Sequence, residues 1–106
     1  ALAEGINFSD EVGLNTKDVI EVISKGAAQS WQMENRWETM INDEYNHGFA
    51  VDLMRKDLDI VLKKAEKNNI PIDITKTVND YYKDIQKAGG GRLDTSSLLK
   101  RIKDLI

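Results

Sequence analysis

The strongest pattern of apolar and polar positions in the chain runs from Gly48 to Asn69. At about 100° per residue, seven apolar residues of this segment fall on one face of a helix. They are Ala50, Val51, Met54, Leu58, Val61, Leu62 and Ala65. The opposite face contains Leu53, Lys56, Asp57, Ile60 and Lys64. A purely solvated face does not need the two apolar residues found there, so the pattern predicts a helix contacted on both sides, by the core on one and by a polar partner on the other.

The charged residues of this segment also have a structural interpretation. Asp52 precedes Lys56 by four residues. Asp59 precedes Lys63 by the same spacing. Pairs in this acid-first order usually form surface ladders that contribute about 0.2–0.5 kcal/mol each. Periodicity alone therefore favours a structural role for these residues over a functional one.

Other segments of the chain show helical periodicity or capping signals and are joined by short connections. The predicted helices span 1–12, 17–25, 31–42 and 73–87, and a last one starts after Asp94 or Thr95. Thr16, Ser30 and Asp73 are the predicted N-caps, because their side-chain oxygens can accept hydrogen bonds from the unpaired N–H groups of the first turn. Gly13 is predicted to end the first helix, since glycine readily adopts the left-handed conformation required there.

Three of these helices have a clear apolar stripe. The residues predicted to be buried are Met33, Trp37, Met40 and Ile41 in the third helix, Ile74, Val78, Tyr81, Ile85 and Ala88 in the fifth, and Leu98, Leu99, Ile102, Leu105 and Ile106 in the last. No segment alternates between apolar and polar positions as a half-buried strand would. The pattern therefore predicts an all-α domain of five or six helices with short connections.

Composition narrows the class of protein. The chain has 106 residues, of which 41% are hydrophobic and 31% charged, values typical of a single globular domain. Its net charge is −3 and it has no basic stripe, which argues against nucleic-acid binding. No apolar run approaches the length of a membrane span. We therefore expect a cytoplasmic protein that binds neither nucleic acid nor a membrane.

Few residues suggest metal or nucleophilic chemistry. The chain has no cysteine and one histidine, His47, which lies in a polar turn without a carboxylate at a readable spacing. We therefore predict no metal site, because zinc would need carboxylates for its other ligands. The glycine run 89–91 lacks the spacing of a phosphate-binding loop, and no predicted strand precedes it. It is predicted to be a flexible connector.

Four segments together resemble one known family. The run from Gly48 to Leu58, GFAVDLMRKDL, resembles the signature of the C-terminal domain of the β-hydroxyacid dehydrogenases. The other three are 26–31 (GAAQSW), 69–72 (NIPI) and 89–98 (GGGRLDTSSL), which follow in the family's order and spacing. The resemblance implies a helical domain with the fold of the 6-phosphogluconate dehydrogenase C-terminal domain. Residues 1–106 would form this single domain, and the N-terminal Rossmann domain of the family is missing from the sequence.

The resemblance also implies a reaction and three site residues. The family interconverts a 3-hydroxy acid, such as 3-hydroxyisobutyrate, and its semialdehyde by hydride transfer, with NAD or NADP bound mainly by the Rossmann domain. Lys56 matches the family's cofactor-contacting lysine, and Asp57 matches the acid that supports the catalytic lysine. Phe49 matches the aromatic residue that walls the substrate pocket. The catalytic lysine itself would lie upstream of Ala1, so the chain alone is expected to be inactive.

Two alternatives remain open from the sequence. Within the same family, the substrate could instead be tartronate semialdehyde or glyoxylate. Outside enzyme function, the chain could be a helical interaction domain, because it has a second apolar face and lacks a full catalytic set. The resemblance also implies a homo-oligomer, since the family uses this domain for subunit contacts.

Overall fold

The structure, a computed structural model, describes residues 1–105, with Leu105 described by its backbone alone. The helices are α1 (Leu2–Glu11), α2 (Thr16–Ile23), α3 (Trp31–Ile41), α4 (Val51–Lys67), α5 (Asp73–Lys87) and α6 (Leu98–Leu105), with a 3-10 turn at Thr95–Ser97. Within these residues the only β-structure is an isolated bridge between Ala50 and Asp94. The predicted all-α fold is therefore confirmed. The predicted burial of Leu105 and Ile106 falls outside the described side chains.

The chain divides into two compact units. The first contains residues 1–45 together with the residues from Leu99 onward, and the second contains residues 46–98. Along the described chain, no helix is both long and apolar enough to cross a membrane.

The first unit contains α1 to α3 and nearly all of α6. Its buried apolar residues are Ala3, Ile6, Ile20, Met33, Met40, Tyr45 and Leu99. Gly13 follows α1 with φ of +81°, as predicted for the end of this helix. Ser30 caps α3 as predicted, accepting a hydrogen bond from the Met33 N–H at 3.0 Å.

Two predictions for the first unit are wrong. Asn15, not Thr16, caps α2, because its extended backbone lets the side-chain oxygen accept from the Asp18 N–H at 3.1 Å. Thr16 is the first helical residue and is buried. Ile41, expected in the core, is 40% exposed at the last residue of α3.

The second unit is built on the antiparallel pair α4 and α5. Val51, Tyr82 and Ile85 form its buried cluster, and Met54, Leu58, Val78 and Leu98 pack against it. The predicted inner face of α4 is mostly right, but Val61 is 50% exposed. Within this unit α4 faces one partner helix, so the stripe that it buries is narrower than the apolar stripe in its sequence.

The buried face of α5 is rotated from the predicted one. Ile74 is 79% exposed and Ala88 is also exposed, whereas Asn79 and Tyr82 are buried. Both polar side chains are buried with partners, since Asn79 donates to Asp59 at 2.9 Å and the Tyr82 hydroxyl donates to the Thr95 carbonyl at 3.0 Å. A prediction based on apolar periodicity alone omits such residues. Asp73 is the first residue of α5 and not its N-cap, a position that Ile72 occupies without a side-chain bond.

The N-terminus of α4 is capped by main-chain carbonyls from a distant loop. Ala50 provides no side-chain cap. Instead, the N–H of Val51 donates to the carbonyl of Leu93 at 2.8 Å, and the N–H of Asp52 donates to the carbonyl of Gly91 at 2.9 Å. We call residues 90–97 the capping loop. Because these bonds tie it to α4, the glycine run is not the free connector that the sequence suggested.

Two glycines of the capping loop are required by close approach. A Cβ at Gly90 would lie 2.6 Å from the Ile85 Cγ2 atom. A Cβ at Gly91 would lie 2.8 Å from the carboxylate carbon of Asp52. A side chain at either position would therefore force the loop away from α4 or displace a packed group.

We expect Gly91→Ala to lower the free energy of unfolding by about 1–3 kcal/mol, the usual cost of forcing a group into a filled site. Gly5→Ala is the matched control, because a Cβ at this exposed position in α1 meets nothing within 4 Å. The control should raise stability by about 0.5–1 kcal/mol, since alanine favours a helix interior over glycine. Urea denaturation measures both, and equal effects of the two variants would contradict the steric explanation.

Burial raises the pKa of Tyr82 to about 12, and the side chain of Thr95 opposes this shift whereas the negative charge of Asp94 adds to it. The folded state therefore favours the neutral phenol. The unfolded chain releases this proton from about pH 10, so we expect stability to fall as the pH rises from 10 towards 12.

Tyr82→Phe should be less stable at neutral pH, because the Thr95 carbonyl loses its donor. It should also lose stability less steeply at alkaline pH. Parallel urea titrations would measure this, and identical slopes for the two proteins would refute it.

Candidate functional site

The three residues that the sequence analysis assigns to a site lie at the start of α4 and along its surface. Phe49 precedes the helix by two residues and is 41% exposed. Lys56 and Asp57 lie in the second turn and are exposed. Leu53 and Ile60 lie one turn before and after Lys56, and they are 42% and 61% exposed. We call the surface formed by Leu53, Lys56, Asp57, Ile60 and Lys64 the outer face of α4.

Lys56 and Asp57 have no structural partners in the described chain. No hydrogen bond or ion pair within residues 1–105 involves either side chain. The predicted pair of Asp52 with Lys56 does not form, because the Asp52 carboxylate accepts a hydrogen bond from Gln86 at 2.7 Å. The Lys56 ammonium is therefore available to bind a group from outside this chain.

A chain of polar contacts between α4 and α5 binds Asp52 and Asp59, two acidic residues of α4 on either side of Lys56. Arg55 donates through Nε to the Gln86 side-chain oxygen at 2.9 Å and lies 3.6 Å from an Asp59 oxygen. Asn79 donates to the same Asp59 oxygen at 2.9 Å. The predicted pair of Asp59 with Lys63 is therefore replaced by contacts across the helix interface. We call these contacts, which join Asp52, Gln86, Arg55, Asp59 and Asn79, the interhelical network.

A shallow groove runs beside this network. Its volume is about 360 Å³, and it is lined by the network residues Asp52, Arg55, Asp59 and Gln86 together with Lys56, Ile60 and Lys63. Arg55 and the two acids are held by their network partners, whereas Lys56 at the edge of the groove is not. Of the three site residues, Lys56 lines this groove, and its charge has no partner within residues 1–105.

Phe49 is positioned through its backbone. Its N–H donates to a carboxylate oxygen of Asp94 at 2.9 Å, and its carbonyl accepts from the Thr95 N–H at 2.9 Å. Asp94 is 1% exposed and also accepts from the backbone N–H and the hydroxyl of Ser96. The last helix is predicted to start after Asp94 or Thr95, and Asp94 caps the 3-10 turn that leads into α6. Its contact with Phe49 spans 45 residues and has no local signal in the sequence.

The described residues can form one side of a dinucleotide site. They contain no βαβ unit of the kind that binds a whole dinucleotide, because no strand occurs among them. The N-terminus of α4 is also closed to phosphate, since Gly91 and Leu93 already occupy its first N–H groups. The outer face of α4 still offers the ammonium of Lys56 between two apolar side chains. This donor set fits a cofactor that is held elsewhere and contacted from this side.

No metal centre is indicated in the described part of the chain. Among residues 1–105, no three histidine, aspartate or glutamate side chains lie close enough together to hold a metal ion. The groups available at the site are therefore the ammonium of Lys56, the carboxylate of Asp57 and the partly exposed ring of Phe49.

Known proteins resemble this chain along almost its entire length. An uncharacterized oxidoreductase of Shewanella frigidimarina is 52% identical over 102 residues, which are 96% of this chain and 35% of the relative. The 2-(hydroxymethyl)glutarate dehydrogenase of Eubacterium barkeri is 31% identical over 101 residues, which are 94% of this chain and 34% of the relative. The chain thus spans about a third of the length of these relatives.

A solved structure has the same fold. The crystal structure of 3-hydroxyisobutyrate dehydrogenase from Salmonella typhimurium superposes with a TM-score of 0.84 at 27% identity. The superposition covers 93% of this chain and 35% of that protein.

A family model supplies the assignment. It matches residues 1–102, and its description is "NAD-binding of NADP-dependent 3-hydroxyisobutyrate dehydrogenase". This description confirms the predicted cofactor, NAD or NADP. Because the match leaves only the last few residues uncovered, the chain belongs to this family of 3-hydroxyisobutyrate dehydrogenase-like proteins.

Proposed function

We propose that this chain is the C-terminal helical domain of an NAD(P)-dependent 3-hydroxyacid dehydrogenase. In this proposal residues 1–106 form one domain with the fold of the 6-phosphogluconate dehydrogenase C-terminal domain. A separate Rossmann domain holds the cofactor, and this domain covers the nicotinamide and the substrate. The observation that carries the proposal is Lys56, an exposed cation without a partner in residues 1–105, which matches the lysine of the family's Lys-Asp-Leu motif.

Each site residue has a role that its surroundings allow. Lys56 contacts the cofactor through its ammonium, and Leu53 and Ile60 limit the water around that contact. Asp57 supports the catalytic lysine of the rest of the protein by its negative charge, which favours a charged lysine. Phe49 presents part of its ring to the substrate pocket. Charges in a closed, water-poor site act more strongly than in water, so a single lysine can matter to the rate.

The proposed reaction is reversible hydride transfer between a 3-hydroxy acid, such as 3-hydroxyisobutyrate, and its semialdehyde. When bound, NAD(P) accepts or returns the hydride. The relative from Eubacterium barkeri is named for a substrate that also carries a hydroxymethyl group next to a carboxylate-bearing chain. This supports a substrate in which a primary alcohol lies β to a carboxylate. Reduction of tartronate semialdehyde or glyoxylate is the second candidate within the family.

Two further properties belong to the proposal. The first is a homo-oligomer, supported by the large apolar residues exposed in each unit. In the first unit these include Phe8, Val22 and Trp31, and in the second they include Val61, Ile70 and Ile74. The second is a cytoplasmic location, where NAD(P) is available. A purely non-enzymatic interaction domain has less support, because it does not explain a match to the family's Lys-Asp-Leu motif on an exposed face.

We expect the 106-residue chain by itself to bind NAD(P)H negligibly and to show no hydride transfer to a semialdehyde. The reason is that a helical domain of this kind supplies one contact side and no pyrophosphate-binding loop. Isothermal titration with NADH and NADPH and an absorbance assay of their oxidation measure both properties. Turnover near that of a full-length family member would refute the proposal that a separate domain holds the cofactor.

In the full-length protein, we expect Lys56→Ala and Asp57→Asn to lower kcat/KM by about 100-fold to 1,000-fold, the usual effect of removing one preorganised charge contact. Lys56→Ala should raise KM for NAD(P), whereas Asp57→Asn should act mainly on kcat. Melting temperatures should hardly change, because exposed substitutions usually alter stability by roughly 0.5 kcal/mol or less.

Lys83→Ala is the matched control for these variants, since Lys83 is also exposed in a helix of the second unit and lies outside the outer face of α4. It should leave the kinetics unchanged. If Lys56→Ala and Asp57→Asn melt much lower but keep normal kcat/KM per folded molecule, both residues are structural.

A further inference from the structure

Phe49 is placed by a different mechanism from the other two site residues. Lys56 and Asp57 are carried by α4, whose geometry determines where they lie. Phe49 lies outside any helix, in the segment between α3 and α4. Its side chain is 41% exposed and so is only partly held by packing. Its backbone bonds to Asp94 and Thr95 therefore carry most of the restraint on its position.

Asp94 is built into the unit more firmly than an ordinary turn cap. At 1% exposure, its carboxylate is removed from water, and a buried carboxylate is tolerated only when its oxygens are hydrogen-bonded. One oxygen accepts from the Phe49 N–H, and the other accepts from the Ser96 N–H and hydroxyl. A cap of the 3-10 turn needs only the Ser96 contacts. The bond from Phe49 to the other carboxylate oxygen is therefore not needed for the turn, and its effect is to restrain Phe49.

The residues around Asp94 connect this contact to the core and to α4. The Thr95 carbonyl accepts from the buried Tyr82 hydroxyl at 3.0 Å, which anchors the loop to α5. The Leu93 carbonyl accepts from the Val51 N–H at 2.8 Å, at the start of the helix that carries Lys56. The same loop therefore holds both Phe49 and the helix that carries Lys56. It holds Phe49 through Asp94 and Thr95, and it holds the start of α4 through Leu93.

We propose that Asp94 is a positioning residue, which fixes Phe49 relative to α4 and thereby sets the wall of the substrate pocket. The proposal rests on the proposed function for its effect on substrate, but the link between Asp94 and Phe49 can be tested without activity. Displacement of a pocket wall by about 1 Å can reduce a rate by about 100-fold, even when the displaced group does no chemistry. Loss of the Asp94 contact should therefore appear in the handling of the hydroxy acid more than in that of the cofactor.

The first test uses Asp94→Ala, Ser96→Ala, Phe49→Ala and the double variant Asp94→Ala/Phe49→Ala in the full-length protein. Asp94→Ala, which removes both acceptor oxygens, should raise KM for the hydroxy acid about tenfold or more, with a much smaller change in KM for NAD(P). Ser96→Ala is the control, because it removes a hydroxyl donor to Asp94 but leaves the oxygen that binds Phe49. It should behave nearly as the wild type.

The double variant separates positioning from a general structural effect. If Asp94 acts through Phe49, the loss in kcat/KM of the double variant equals that of Phe49→Ala alone. A loss equal to the product of the two single losses would overturn the proposal. So would equal kinetic effects of Asp94→Ala and Ser96→Ala.

The second test measures hydrogen exchange of the Phe49 amide by NMR. Asp94→Ala should lose protection at this amide, while Ser96→Ala keeps it. Unchanged protection in Asp94→Ala would overturn the positioning role, whatever the kinetics show. If protection is lost as expected but the wild-type protein transfers no hydride to or from hydroxy acids, the proposed function is wrong and the link from Asp94 to Phe49 stands.

Discussion

The second unit depends on how the first N–H groups of α4 are satisfied. A helix begins with N–H groups that have no partner in the helix, and here no side chain caps them. Leu93 and Gly91 supply their carbonyls instead, from a loop some 40 residues further along the chain. This arrangement determines where α4 starts, and with it the rotational position of every residue on its surface. It also requires glycine at position 91, because the loop backbone must lie directly against the Asp52 carboxylate.

The interhelical network determines which charges remain free. Asp52 and Asp59 are drawn towards α5 by Gln86, Asn79 and Arg55. Hydrogen bonds to partly buried carboxylates are stronger than exposed helix-surface pairs, so the acids favour these partners over the lysines one turn away. The outer face of α4 is left with Lys56 uncommitted. Lys56 therefore has no acidic partner on α4, because Gln86 on α5 binds the carboxylate one turn before it.

The elements of the fold could be predicted from the sequence, while the contacts between distant segments could not. The spacing of Met54 and Leu58 predicts the helix α4 and its inner face. The preference for serine at helix starts predicts Ser30 as the N-cap of α3. The predicted face of α5 was wrong because Asn79 and Tyr82 are buried through partners on other segments. For the same reason the sequence placed Asp94 only at the start of the last helix and did not predict its contact with Phe49. The roles of Phe49, Lys56 and Asp57 came from resemblance to a family, since periodicity alone treated the two charged residues as surface residues.

The separation between α4 and its cap has a consequence for the order of folding. The pair α4 and α5 is local in sequence and can form early, but the capping loop can reach the start of α4 only after both helices have been made and packed. Contacts of long sequence separation form late because a large loop must be closed first. Hydrogen bonds join the loop, the first turn of α4 and Phe49, so we expect these three to close together. Phe49, the residue that walls the proposed pocket, therefore takes up its position only when this loop closes, and the buried carboxylate that holds it is placed in the same step.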